Sequence, residues 1–315
     1  MITVPETAGI RFAAKERSGE ERAGPMTTTC RICGSASSTV GMVRGAYRGR
    51  DFTLRRCAAC GFAFIADPWL DYAEIYDEHY YAGKGADPLA NYTSELETPE
   101  KTIRWYEWEG IARVVDNLIS GDSTLRWLDY GCGTGGLVRF VRKHNGHDAF
   151  GFEPSPFAER LRAHGVPIVE EDELAGLAGS FDVVTAIEVV EHLLDPVAEM
   201  RRMRALLRPG GLLFLTTGNA EPHADRLTEW RYVIPEIHLS YFEPRTLERA
   251  LTLAGFTPER AGYVPGFDAI LKFKVLKNLH LRRRSTLTDA IPARLLALLG
   301  ERIAHASAQP IGWAR

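Results

Sequence analysis

The sequence contains no apolar run of about 18 residues, the length a membrane-crossing helix needs. Its first stretch, MITVPETAGIRFAAKERSGEERAGP, has no apolar signal core and does not read as a secretory leader. Neither sign of charge is in excess: 38 Lys and Arg stand against 41 Asp and Glu, a formal net charge of −3. A strong electrostatic grip on nucleic acid is therefore not expected. Internal repeats and low-complexity tracts are missing as well. Cysteine is scarce, with five among 315 residues. Without an export signal, these read as thiols in a reducing, cytoplasmic setting and not as a disulfide framework. Hydrophobic residues, by contrast, make up 45% of the chain and charged residues 25%, which is enough to build a full core. The length suits one α/β domain with a smaller module attached.

Residues 1–25 are polar and without period, and read as a disordered tail. A cysteine-bearing module follows over 26–66. Residues 67–120 read as an aromatic, helical linker and lid. Tyr72, Tyr76 and Tyr80 there share a helical face, a pattern that ordinary packing also produces. A helix is expected over 99–118, with Ile103, Ile111, Val114, Val115 and Leu118 as its stripe. From residue 121 to 315 strands and helices alternate, the mark of a parallel α/β sheet. The expected strands are 125–130, 149–153, 166–169, 181–187 and 212–217.

The segment Leu128-Asp129-Tyr130-Gly131-Cys132-Gly133-Thr134-Gly135-Gly136 follows a strand and opens a helix. Its glycines permit a tight turn and close approach of a ligand. The acid before the turn would repel a pyrophosphate but suits a ligand bearing an amino group. Glu153 ends the second strand, where an acid accepts hydrogen bonds from ribose hydroxyls. Asp172, after the third strand, is placed to accept from an adenine amino group.

Together with Glu153-Pro154, Phe181-Asp182-Val183-Val184, Glu188-Val189-Val190-Glu191-His192 and Leu207-Arg208-Pro209-Gly210-Gly211, this loop resembles the class I S-adenosylmethionine-dependent methyltransferases over about 125–264. The resemblance implies a Rossmann-like, doubly wound sheet of seven strands with the last antiparallel. It also implies methyl transfer from a sulfonium donor, with S-adenosylmethionine held by Asp129, Tyr130, Gly131, Cys132, Gly133, Gly135, Glu153, Pro154, Asp172 and Glu188.

Cys30-x-x-Cys33 and Cys57-x-x-Cys60 form two knuckles with the spacing of a closed, structural four-cysteine zinc site of zinc-ribbon type. Cys132 belongs to the cofactor loop and is not a fifth ligand. A knuckle module joined to such a domain resembles bacterial methyltransferases acting on sugars, including sugar C-methyltransferases of natural-product pathways. The further C-terminal domain common in that family is not expected here.

His192 has three readings: general base, structural cap, or metal ligand, the last because Glu188-x-x-Glu191-His192 resembles the metal-assisted methyltransferases of quinone biosynthesis. His238, in Pro235-Glu236-Ile237-His238-Leu239-Ser240-Tyr241-Phe242, is either a base and substrate contact or a satisfied loop histidine. The segment resembles one in the sugar C-methyltransferases that carries a tyrosine where Pro235 stands. The substitution points to hydroxyl rather than carbon methylation. The expected acceptor is a small molecule, a sugar or glycoconjugate hydroxyl, with nucleotide-linked and lipid-linked sugars among the candidates. No nucleic-acid partner is expected. The alternatives are a sugar C-methyltransferase and a fold-retaining binding protein without turnover. Residues 268–306 read as a helical insertion before a last strand at 310–314. Its basic rim, Lys272, Lys274 and Lys277 followed by Arg282-Arg283-Arg284, is expected near the active-site side and is either a solvated face or a contact for anionic groups or a membrane surface.

Overall fold

A computed structural model describes residues 27–46, 49–85, 91–119, 123–259, 264–293 and 311–314. The expected tail, 1–25, and most of the second helical pattern of the insertion lie outside the described residues.

Three antiparallel strands open the fold: β1 (Ser38–Arg44), β2 (Asp51–Arg56) and β3 (Ala63–Ile65). Two one-turn helices, α1 (Tyr72–Ile75) and α2 (Glu78–Tyr81), follow, so the tyrosine series does not lie on one continuous helix. Asp77 caps α2 by accepting from the Tyr80 amide at 2.9 Å, which starts a new helix inside the series. Then come α3 (Tyr92–Glu97) and the long α4 (Arg104–Leu118). The first turn of the expected 99–118 helix is instead a separate 3-10 turn, Pro99–Lys101.

The alternating half follows in order as β4 (Arg126–Tyr130), α5 (Gly136–Phe140), β5 (Asp148–Phe152), α6 (Phe157–Ala163), β6 (Phe181–Ile187), α7 (Pro196–Leu206) and β7 (Leu207–Thr216). After it come β8 (Ser240–Tyr241), α8 (Pro244–Leu253), β9 (Pro258–Glu259), α9 (Phe267–Asn278), α10 (Thr286–Ala290) and β10 (Ile311–Ala314). The main sheet has the order β5-β4-β6-β7-β10-β9. Strands β4 to β7 pair in parallel, and β10 runs antiparallel to both β7 and β9.

Six strands are therefore laddered among the described residues, where seven were expected. The expected strand at 166–169 touches β5 only through a parallel bridge between Ile168 and Gly151. Pro167 explains the shortfall, since it can accept a ladder bond but cannot donate one.

Successive residues of the central strands face opposite sides. Trp127, Val183 and Phe214 enter one buried cluster, with Trp108 and Ile111 of α4. Leu128, Val184 and Leu213 enter the other, with Met200 and Met203 of α7 and Leu247 of α8. This alternation is what a sheet covered by helices on both faces requires.

The N-terminal strands are not a separate unit. β3 pairs with β8, Ala63 opposite Tyr241 and Phe64 opposite Ser240, giving a sheet of order β1-β2-β3-β8. Phe62, Phe64 and three of the four knuckle cysteines share the buried cluster that holds α7 and α8. Among the described residues no helix is long and apolar enough to cross a membrane.

Candidate active site and cysteine cluster

A cavity of about 990 Å³ opens at the C-terminal ends of β4, β6 and β7, where open α/β sheets bind ligands. The turn after β4 supplies Asp129, Gly131, Cys132, Gly133 and Thr134 to its wall. Asp129 is buried and accepts from Thr185 Oγ1 at 2.7 Å, and Thr185 in turn accepts from Trp127 Nε1 at 3.0 Å. Burial pushes the Asp129 carboxyl up, the Thr185 bond pulls it back, and Glu153 and Glu107 push it up again, to about 7. Glu153 accepts from the Gly133 amide at 2.9 Å and the Ser155 amide at 3.2 Å, which ties the end of β5 to the turn. A Cβ at Gly133 would stand 2.9 Å from the Tyr92 ring, so only glycine lets the aromatic cover lie over the loop.

Some expected cofactor contacts stand elsewhere. Asp172 is exposed and, like Gly135, Glu153 and Pro154, is not among the cavity-lining residues. The Tyr130 side chain leaves the site and donates to Glu199 on α7 at 2.6 Å, so only its backbone belongs to the turn. Among the other charged residues that line the cavity, Arg104 was not singled out by the sequence, and Lys274 was expected only as part of the basic rim. Arg104 of α4 is paired with Glu95 at 3.3 Å and Glu107 at 3.0 Å. Lys274 of α9 lies 3.4 Å from both Glu107 and Glu188. Their positions depend on α9 packing against α4, a long-range contact that no local pattern announces.

Beyond β6 the wall is acidic and aromatic. Glu188 adopts φ 54°, an uncommon region for a residue with a side chain. Its amide donates to Thr216 O at 3.0 Å, and its carboxylate accepts from Thr216 Oγ1 at 2.8 Å. Burial alone would raise its carboxyl, but Lys274 and Lys277 outweigh that and hold it near 2. Glu191 has the opposite fate. Burial first and the Glu188 charge second push it to about 8, so it keeps its proton at neutral pH. The Tyr232 hydroxyl is within hydrogen-bond distance of both carboxyl groups, its single proton serving one of them at a time, and Thr217 Oγ1 donates to Glu191 at 2.8 Å. Burial, then Glu188 and Glu191, keep Tyr232 well above the usual phenol range.

The two candidate histidines meet here, their ring centroids 4.8 Å apart. His192 Nδ1 is 3.1 Å from Tyr76 OH. His238 Nδ1 is 2.6 Å from the Tyr232 carbonyl. A carbonyl only accepts, so Nδ1 carries the proton and Nε2 of neutral His238 keeps its lone pair. Burial, with His192 alongside, lowers His238 to about 3. Glu191, His192 and His238 offer atoms within 4.8 Å of one another, a group that could hold a cation. Tyr232 was not singled out by the sequence. Its ring nonetheless lies 4.3 Å from that of His238.

The four paired cysteines also meet. Their sulfurs lie within 4.8 Å of one another, with Cys30 Sγ to Cys60 Sγ at 3.6 Å and Cys33 Sγ to Cys57 Sγ at 3.5 Å. Bonded sulfurs would be about 2.05 Å apart. The observed separations instead suit the edges of a tetrahedron with metal–sulfur bonds of about 2.3 Å. Each knuckle closes the same way: Gly34 N donates to Cys30 O and Gly61 N to Cys57 O, both at 2.9 Å, with both glycines at positive φ. A Cβ at Gly61 would also stand 2.5 Å from the Glu243 carboxylate, the group that pairs with Arg56 of β2.

Residues 101–261 match the family described as methyltransferase domain. The chain belongs to that family, the class I S-adenosylmethionine-dependent methyltransferases. It is 35% identical over 158 residues to a ubiquinone biosynthesis O-methyltransferase of Cereibacter sphaeroides, covering 44% of this chain and 64% of that protein. To the enzyme of the same name in Xanthomonas axonopodis it is 40% identical over 109 residues, covering 31% and 45%. The chain thus spans about half to two-thirds of the length of these relatives. A solved S-adenosylmethionine-dependent methyltransferase from Mesorhizobium loti aligns with TM-score 0.45 and 18% identity, covering 68% of this chain and 97% of that one.

Proposed function

We propose that this chain transfers the methyl group of S-adenosylmethionine to a hydroxyl of a small acceptor, with His238 Nε2 receiving the hydroxyl's proton. The observation that carries the reading is the lone pair left on His238 by the Tyr232 carbonyl, inside the cavity that holds the Asp129 turn. The donor supplies an electrophilic methyl on a sulfonium, so an in-line attack forms the O–CH3 bond while the S–CH3 electron pair returns to sulfur. Asp129 suits the ammonium of a zwitterionic amino-acid tail, and Arg104 suits its carboxylate. Glu153 suits the ribose hydroxyls. Because His238 is a weak base, its part is to accept the hydrogen bond and take the proton as the methyl moves, not before. Tyr232 stays protonated and acts as a donor, which favours hydroxyl over carbon methylation. The printed names of the relatives, O-methyltransferases, agree with that choice. They carry a quinone pathway and not a sugar, so the reading extends to hydroxyl-bearing small molecules as a class.

The same proposal assigns zinc to Cys30, Cys33, Cys57 and Cys60 as a structural ion. It treats 26–66 as the metal module and 67–120 as the cover of the site, on the catalytic domain from 121 onward.

The test is methyl transfer from labelled S-adenosylmethionine to a panel of phenols, quinols and glycosides, read by mass spectrometry. At least one hydroxyl acceptor should gain a methyl group, and His238→Asn should lower kcat by about a hundredfold or more with the affinity for S-adenosylhomocysteine kept. Full activity in that variant would remove His238 from the chemistry.

A further inference from the structure

A second cavity, of about 450 Å³, adjoins the first beside α3, α4 and the end of α9. The two share Glu95, Arg104, Lys277 and His280 in their walls, so they are neighbours divided only by these side chains. The lining of this annex is strongly basic: Lys101, Arg104, Lys277, Arg282 and Arg283, with His280 at φ 57°. Among the described residues Glu95 is its one lining carboxylate, and that acid is already paired with Arg104 at 3.3 Å. The backbone fixes the cluster: Ile103 N donates to Arg282 O at 3.2 Å, Arg284 N donates to Lys101 O at 2.7 Å, and Thr102 bridges Arg283. Arg284, by contrast, is held by Asp289 at 2.7 Å and stacks on Trp105, so it is structural and not part of the basic rim.

We infer that the annex binds a phosphoryl or diphosphoryl group carried by the methyl acceptor. This inference rests on the methyl-transfer reading and names the acceptor's class: a hydroxyl compound esterified to phosphate. A concave wall of guanidinium and ammonium groups favours phosphate oxygens over an apolar tail, and arginine forks match them in pairs. Arg104 separates the two sites, facing the cofactor end on one side and the annex on the other.

The test is calorimetric titration of inorganic pyrophosphate onto the full chain saturated with S-adenosylhomocysteine, at low and at physiological salt. One saturable site is expected, weaker at higher salt. It should weaken about tenfold or more in Lys101→Gln/Arg282→Gln/Arg283→Gln, with the affinity for S-adenosylhomocysteine unchanged. If the triple variant melts early, Arg282→Gln and Arg283→Gln singly carry the same comparison. Absence of saturable binding by the natural chain, or equal binding by the variants, overturns the inference. So does a variant that loses sedimentation with phosphatidylglycerol vesicles when pyrophosphate never binds, which would make the cluster a membrane contact. If S-adenosylhomocysteine itself does not bind, the methyl-transfer reading fails, and pyrophosphate titrated onto the chain alone still decides the annex.

Discussion

Glu188 and Glu191 lie one turn apart and share a hydrogen-bond donor, Tyr232, yet they hold opposite charge states. Lys274 and Lys277 keep Glu188 ionised, and its charge then helps to keep Glu191 protonated. The consequence for stability has a definite sign. Glu191 is raised from the ordinary carboxylate range, about 4.3, to about 8 in the fold. The folded state therefore holds a proton that the unfolded chain has released over that window. The contribution is fully present below the lower value and is lost as pH rises through the upper one. The melting temperature should fall from pH 5 to pH 8, and Glu191→Gln should remove part of that slope. Superimposable profiles for the two proteins would contradict the assignment. At this scale the contiguous residues were legible in the sequence: the Asp129 turn, Glu153, and the step from Glu188 to His192. Arg104 was not, because it arrives from α4, outside the alternating half, and has no local signature. Tyr232 was not, because nothing in its immediate sequence marks it although it shares a loop with His238. Lys274 was visible only as one charge of a basic rim.

The elements explain why the cysteine module matters beyond its own residues. Its β3 pairs with β8, and Ile65 N donates to Leu239 O at 3.1 Å, one residue past His238. Thr246 Oγ1 on α8 donates to Cys60 O. The knuckles thus brace the segment that carries His238. Elemental analysis should find about one zinc per chain. Cys57→Ser or exhaustive chelation should lower the melting temperature by about 5 °C or more. In whatever remains folded, kcat should suffer more than cofactor affinity, since the Asp129 turn stands on the other sheet. Metal-free protein of equal stability and equal kcat would refute this bracing role. Spacing alone made the knuckles visible in the sequence. The β3–β8 pairing was not visible, because a two-residue strand is too short to show a period. The last strand could be placed at 310–314 from its apolar residues, and β10 stands there, antiparallel as the family resemblance implied.

For the molecule as a whole, sheet order and site agree. The cavity sits over the strand ends, α4 and α9 close one side of it, Tyr80 and Tyr92 line it, and the Tyr92 ring lies over Gly133 of the turn. One cavity thus joins the buried Asp129 carboxyl, the Arg104 guanidinium and the His238 imidazole. The proposed function requires this arrangement to be a site for S-adenosylmethionine. Asp129, pushed up to about 7, must lose its proton to pair with the donor's ammonium group. The decisive measurement is calorimetric titration of S-adenosylhomocysteine at several values from pH 6 to pH 8.5, on the natural chain and on Asp129→Asn. The account predicts one site per chain whose affinity rises with pH and levels off above about 7. The variant should bind about tenfold or more weakly, with little pH dependence. No binding by the natural chain, or the same pH profile in both proteins, would contradict it.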